Sequence, residues 1–348
     1  MAENRGERPK RIQWWRTALP AALVILLFGW LLPQVVDYGD VWDAMLALAP
    51  WQILVLAALG IVWSLVEAGV MTTLIPGLGV VAGWRAFLGS MTVGSVIPAP
   101  WDVLTRFGMY RAFGVESEAA GAGVLVGGLM TLAVKIITPL LVLVYWVAVG
   151  TPGERVVLVT VLVVGAAVAG AAAIAGMLAF EGFARWLGRA IQATADRLLP
   201  VFGREPRRDL EDVTVGFRDQ LVRTLANHWP GSLGFAVGAH VVRFVGLVVA
   251  FRSIGVGTDV VPTTLLAAVY AVSLLASMTP MVPAGLGAVE MVFIWALGSA
   301  DQVVVDVDAV AAAVFIHRIF FWVLPVAVGV VPLVRWARGG LDLVEHPA

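Results

Sequence analysis

No cysteine occurs anywhere in the 348 residues. That excludes disulfide staples, thiolate metal sites and cysteine nucleophiles. Charge is scarce as well: Asp, Glu, Lys and Arg make up 14% of the chain, against about 25% in soluble domains. The net charge is −1, so no global basic field points to nucleic acid. Histidines stand only at His228, His240, His317 and His346, without metal-ligand spacing. Apolar residues dominate, at 60% of the chain. A protein of this length cannot hide that much apolar surface in its own core, so lipid is its natural solvent.

Arg5, Arg8, Lys10, Arg11 and Arg16 precede an apolar run over 17–36. The run is long enough to span, and the nearest small-x-small site, Ala47-Leu48-Ala49, lies too far downstream for a short signal peptide. It reads as a retained signal anchor. About 20 apolar residues cross a bilayer as a helix. Six segments qualify: 17–36, 51–75, 117–149, 155–178, 229–251 and 309–334. The third is overlong, which predicts a tilt or a break near Thr138-Pro139. Two further apolar stretches are interrupted at their middles, 84–113 at Pro98-Ala99-Pro100 and 262–299 from Thr279 to Gly287. Each half is too short to cross alone. Both stretches read as re-entrant helical hairpins, whose turns are tolerable at that depth only inside protein or beside water.

Positive charge orients the bundle. Arginines crowd the N-terminus, the polar stretch 180–228 and the C-terminal Arg335 and Arg338, which places all three in the cytoplasm. The opposite loops carry Asp37, Asp40, Asp43, Asp301, Asp306 and Asp308, with only Arg155 and Arg252 against them. Within 180–228, Phe183, Leu187, Ile191 and Leu198 recur at helical spacing, as do Leu210, Val213, Phe217, Leu221 and Leu225. These stripes read as interfacial amphipathic helices. The organisation is then a cytoplasmic start, first span and external amphipathic segment over 1–50, a repeat over 51–150, span 4 and the amphipathic helices over 151–228, a second repeat over 229–338, and a cytoplasmic tail over 339–348.

The repeat rests on Ile97-Pro98-Ala99-Pro100-Trp101 and Val282-Pro283-Ala284-Gly285-Leu286, offset by 185 residues. The same offset lays the span at 51–75 over that at 229–251, and one hairpin over the other. Sidedness puts the two units in opposite orientation. Inverted repeats with discontinuous helices meeting near the midplane are a transporter signature. The expected fold class is an all-α polytopic membrane protein, six spanning helices plus two re-entrant hairpins in an inverted-topology repeat.

A charge inside the bilayer costs several kcal/mol and needs an explanation. Glu67 falls in span 2, Lys135 in span 3, Asp102 and Arg106 just after the first break, Arg243 in span 5, Glu290 just after the second break, and His317 and Arg318 in span 6. Asp102 and Arg106 share a helical face at i, i+4, as a structural pair or a functional one. Gly285 and Gly287 leave the N–H groups of a helix start open to an anion such as phosphate, or simply let the hairpin turn tightly. Arg318 is the natural partner for Glu290 or for a lipid phosphate. Arg106, Gly285, Gly287 and Arg318 are therefore candidate substrate-binding residues. Asp102, Glu290, Glu67, Lys135 and Arg243 are candidates for gating or proton coupling. No metal or cofactor is expected.

Pro283-Ala284-Gly285-Leu286-Gly287-Ala288-Val289-Glu290 resembles the P-x-G-x-G-x-x-E hairpin of the flippase-like transmembrane domain of lysylphosphatidylglycerol synthases. His317-Arg318, followed by Pro325 and Gly329, resembles that family's last core span. The resemblance runs from about 17 to 335. Arg106 sits at the family's spacing after the first proline, while Trp101-Asp102 replaces its Gly-acid pair and Gly127-Gly128 stand where span 3 often carries an acid. The resemblance implies lipid translocation without the soluble aminoacyl-transfer domain, for which the tail after Arg338 leaves no room. The expected partners are membrane lipids with phosphate head groups: a phospholipid, an aminoacylated one or a polyprenyl-phosphate carrier, with room for a homo-oligomer and none for nucleic acid. The expected location is the cytoplasmic (inner) membrane. An enzyme acting on lipid phosphates and a non-transporting scaffold are the rivals. The first would need a clustered nucleophile or metal motif, and the sequence shows none.

Overall fold

The structure is a computed structural model that describes residues 38–97, 100–149, 210–278, 287–298 and 305–339, with six isolated positions between 165 and 192. Regular structure among the described residues is helical throughout. In order these are α1 (Tyr38–Leu46), α2 (Pro50–Leu74), α3 (Val80–Val96), α4 (Trp101–Ala112), α5 (Ser117–Val149), α6 (Leu210–Ser253), α7 (Thr263–Ala276), α8 (Ala288–Gly298), α9 (Val307–Arg318), a π-helical turn (Ile319–Val323) and α10 (Leu324–Ala337).

Four helical stretches are long and apolar enough to cross a membrane: Pro50–Leu74, Ser117–Val142, Leu221–Ser253 and Val307–Ala337. They match four of the six expected spans. The spans at 17–36 and 155–178 lie outside the described residues, apart from the isolated Gly165. At about 1.5 Å per residue, the 25 residues of α2 reach about 38 Å, more than the roughly 30 Å of hydrocarbon. Pro50 starts it at a position whose N–H would be unused, and Gln52 Oε1 accepts the Ala49 N–H at 2.7 Å. Its outward side chains, Leu54, Ile61, Val62 and Leu65 among them, are exposed apolar groups suited to lipid.

Two expectations change. Span 3 does not break at Thr138-Pro139: α5 is continuous, with Pro139 inside it. Proline withdraws one N–H from the ladder, and Thr138 Oγ1 donates to the Val134 carbonyl at 2.7 Å in the same turn. One lost bond does not break a helix that packs along α6 and α7. The second amphipathic stripe is not a separate interfacial helix. It forms the first turns of α6, which runs on through Pro230. Leu221 is buried in the same cluster as Met71, Leu74 and Tyr110, with Leu225 packed against it. That end of the stripe covers protein.

α2 and α6 run antiparallel. Gln52 Nε2 donates to the Ser253 carbonyl at one end, and Gly69 faces the Phe235 ring at the other. The helices of the first expected hairpin, α3 and α4, pack on each other, and α3 packs along α10. That seam is tight: Thr92 Oγ1 donates to the Val326 carbonyl at 2.9 Å, and a Cβ on Gly329 would strike the Leu88 carbonyl oxygen. Small residues allow such backbone approach in membranes. The helices of the second hairpin, α7 and α8, join α9 and the end of α6 in a cluster around Phe251, Leu266, Phe293, Leu297 and Val310. α7 also packs on α5, and α1 on α9. Both hairpin turns, Pro98-Ala99 and 279–286, lie outside the described residues.

Arg252 closes the end of α6. Its guanidinium donates to the carbonyls of Val256 (2.6 Å), Gly257 (2.7 Å) and Val261 (2.9 Å), and to Thr263 Oγ1 (3.3 Å). A cation that runs against the charge pattern is thereby explained: it holds the loop between α6 and α7.

Candidate functional site

The site starts at the first residue described after the second break. Gly287 has φ +81°, a left-handed conformation in which a side chain would be strained. It leads into α8, and its N–H donates to Glu290 Oε2 at 2.7 Å. This is one half of a capping box: a carboxylate at the third helical position satisfies the N–H of the residue before the helix. The helix start expected to be open to an external anion therefore already holds one, the chain's own. Arg318, the last residue of α9, completes the group. Its Nη2 donates to Oε2 at 3.2 Å, and its Nε lies 2.8 Å from Oε1. The Nε contact is an ion-pair approach without hydrogen-bond alignment, since Oε1 has no aligned donor. The two side chains are 1% and 6% exposed, so the pair is withdrawn from bulk solvent.

Arg318 is followed at once by the π-helical turn. Pro325 lacks the N–H that would bond the Phe321 carbonyl, so the ladder widens there. Phe321 stacks on the His317 ring at 4.6 Å between centroids. His317 Nε2 lies 3.2 Å from the Arg243 carbonyl oxygen, tying α9 to α6. The Arg243 guanidinium lies 5.3 Å from the centre of the Trp63 ring, a cation–π contact that makes the cation tolerable away from water. Arg243 also interacts electrostatically with Glu67, Glu290, Arg318 and Tyr270. Glu67 is within the field of Arg106, Arg243 and Lys135.

The isolated charges of the sequence thus gather into one network that joins both halves of the chain. Asp102 is the exception. Arg106 does not pair with it. The Arg106 Nε donates to Ser90 Oγ on α3 at 3.0 Å, and its guanidinium lies 5.4 Å from the centre of the Phe87 ring. Asp102 Oδ1 is buried without a hydrogen-bond partner. An i, i+4 spacing permits a pair, but the packing of α4 on α3 offers Arg106 a hydroxyl and an aromatic face instead. Gly285 lies outside the described residues.

The profile of the lysylphosphatidylglycerol synthase TM region matches residues 18–329. The chain belongs to that family. No curated protein matches it. In this lysylphosphatidylglycerol synthase TM protein the matched region contains every charged residue of the network.

Three participants were not legible as site residues. Tyr270 on α7 is 6% exposed, and its hydroxyl donates to the His240 carbonyl at 3.3 Å. His240, which shows no metal-ligand spacing in the sequence, is buried well inside the apolar part of α6, with Nδ1 2.9 Å from the Ala236 carbonyl. Ser90 is an ordinary small residue in an apolar helix. A lone tyrosine in an apolar hairpin was the available signal. Arg243, Tyr270, Ser273, His317 and Arg318 line a common pocket of about 30 Å³. That space holds about two waters.

Proposed function

We propose that this protein is a flippase-like transporter that moves a phosphate-bearing lipid across the cytoplasmic membrane without making or breaking bonds in it. The observation that carries the reading is the buried Glu290–Arg318 pair at the start of α8. A carboxylate and a lipid phosphate compete for the same two partners, the Gly287 N–H and the Arg318 guanidinium. Phosphate is a strong bidentate acceptor for arginine. Its arrival displaces Glu290, and its departure lets Glu290 return. Arg243 and Arg106, each resting on an aromatic face, offer further cationic stations, and Glu67 lies within the field of both and of Lys135.

The architecture supports the same reading. With α2–α5 as one unit and α6–α10 as the other, corresponding elements pack on corresponding partners. α2 packs on α6, the first hairpin's α3 on the last span's α10, and the second hairpin's α7 on α5. That is the pattern of two inverted repeats swapping hairpins around a central site. In this reading the hairpins are re-entrant, both termini and the arginine-rich 180–228 stretch are cytoplasmic, and the head group passes between the hairpin tips.

The test is reconstitution in vesicles of fluorescent phosphatidylglycerol, following its movement between leaflets and its mass. Movement at unchanged mass supports transport. A change in mass points to an enzyme, and neither movement nor change points to a scaffold.

A further inference from the structure

An apolar cleft of about 300 Å³ lies between α5, α6 and α7. Its outer lip is made by Ile137, Leu141, Val237 and Val241, which are 45%, 65%, 44% and 54% exposed and so face lipid. Its inner end is different. There His240 and Tyr270 are 7% and 6% exposed. Tyr270 lines both this cleft and the small pocket that Arg243 and Arg318 also line. One side chain is therefore the wall between a lipid-facing groove and a buried cationic site. Its hydroxyl is held by the His240 carbonyl, and its ring leans on Phe244 at 5.4 Å between centroids.

We propose that this cleft is the lateral doorway through which a phosphate-bearing lipid reaches the site, with Tyr270 as the door. The proposal rests on the transport reading above and adds its route. The occupant follows from two facts. A groove walled by valine, leucine and isoleucine takes an acyl chain at no desolvation cost. The arginines behind Tyr270 complement an anionic phosphate and not the uncharged glycerol or acyl chains. A lipid entering head first lays the glycerol end of its chain along Val237 and Val241, at the depth of His240. A lipid that merely surrounds the protein keeps that end at the membrane surface. Swinging the Tyr270 hydroxyl off the His240 carbonyl joins the two cavities and exposes Arg243 to the phosphate.

The wild-type protein in vesicles is photolabelled with phosphatidylglycerol carrying a diazirine close to the glycerol end of one chain, and the labelled peptides are mapped. Diacylglycerol with the same diazirine chain is the comparison. The expected result is labelling of Val237 and Val241 by the phospholipid, several-fold above diacylglycerol. Equal labelling by the two probes, or labels confined to helix ends, overturns the doorway. A second arm fills the groove with Ala267→Trp and leaves the lipid face of α2 altered in Val62→Trp. Ala267→Trp fills the groove and slows lipid movement about tenfold, a barrier higher by about 1.4 kcal/mol, and Val62→Trp does not. Equal rates for the two variants count against the doorway. If the wild type moves no lipid but labels as expected, the transport reading fails and the lipid site stands. If it moves lipid with even labelling, transport stands and the route is wrong.

Discussion

The Glu290–Arg318 pair permits a test that separates a gate from a structural ion pair. Both side chains are nearly inaccessible, at 1% and 6%. Removing one partner of such a pair leaves the other charge buried, which costs about 3–5 kcal/mol. Glu290→Ala and Arg318→Ala should each lower the unfolding temperature clearly. Glu290→Gln is informative because its amide oxygen still accepts the Gly287 N–H. It should recover part of the Glu290→Ala loss, about 0.5–2 kcal/mol for the cap, while Arg318 still lacks the carboxylate charge. The double variant Glu290→Leu with Arg318→Met removes both charges at similar volume and should return close to wild-type stability. The fourteen tryptophans give an intrinsic fluorescence signal for thermal unfolding, compared at one scan rate because membrane proteins unfold irreversibly. Lipid movement is then measured on the same preparations. A gate predicts that transport is lost in all four variants, including the stable double. Full transport by that double variant would falsify the assignment and reduce the pair to a structural salt bridge.

Three other outcomes follow from the packing and the charge pattern. Gly329→Leu should destabilise the protein by about 1–3 kcal/mol, because the Leu88 carbonyl occupies the space a side chain needs; a neutral effect on unfolding temperature would show that α3 and α10 are not held in this register. Arg252→Ala removes the donor to three carbonyls and a hydroxyl. It should make the 254–262 loop protease-sensitive while lipid movement per folded molecule stays near wild type. Since the chain has no cysteine, single cysteines at Asp306 and Arg207 can be labelled with an impermeant reagent in intact cells. Labelling at 306 alone is expected, and strong labelling at 207 alone would reverse the orientation.

The spans were legible because their cause is local. A run of apolar residues long enough to cross lipid stays such a run wherever its neighbours sit, so 51–75, 117–149, 229–251 and 309–334 each reappear in a described helix. The charges were legible as oddities for the same reason, since the cost of placing Glu67 or Arg243 in lipid is a property of that residue. Their partners were not. Arg106 had an acid one turn away and took Ser90 and Phe87 instead, because α3 lies against α4 and supplies both. Ser90 carries no charge and is common in apolar helices, so nothing in the sequence marks it, and Tyr270 stands out only as a lone tyrosine in an apolar hairpin. The start of α6 was misread because an apolar stripe at helical spacing says that one face is covered without saying whether lipid or protein covers it.

Gly287 and Glu290 show where the sequence reading stopped one step short. A glycine followed three residues later by a glutamate is itself a local capping signal, and it was read as a helix start awaiting an outside anion. Both readings use the same physics, since exposed N–H groups at a helix start attract whichever anion arrives. A carboxylate three residues away is tethered, and tethering gives it an effective concentration that no free ligand matches. A visiting anion can displace it only by serving Arg318 and Gly287 at least as well as the carboxylate does, and by leaving Glu290 somewhere tolerable. Arg243 is within the field of Glu290 and supplies that second condition. A phosphate supplies the first, with oxygens enough for both arms of a guanidinium. A lipid without an anionic head group would not supply the first, so it should not open the pair.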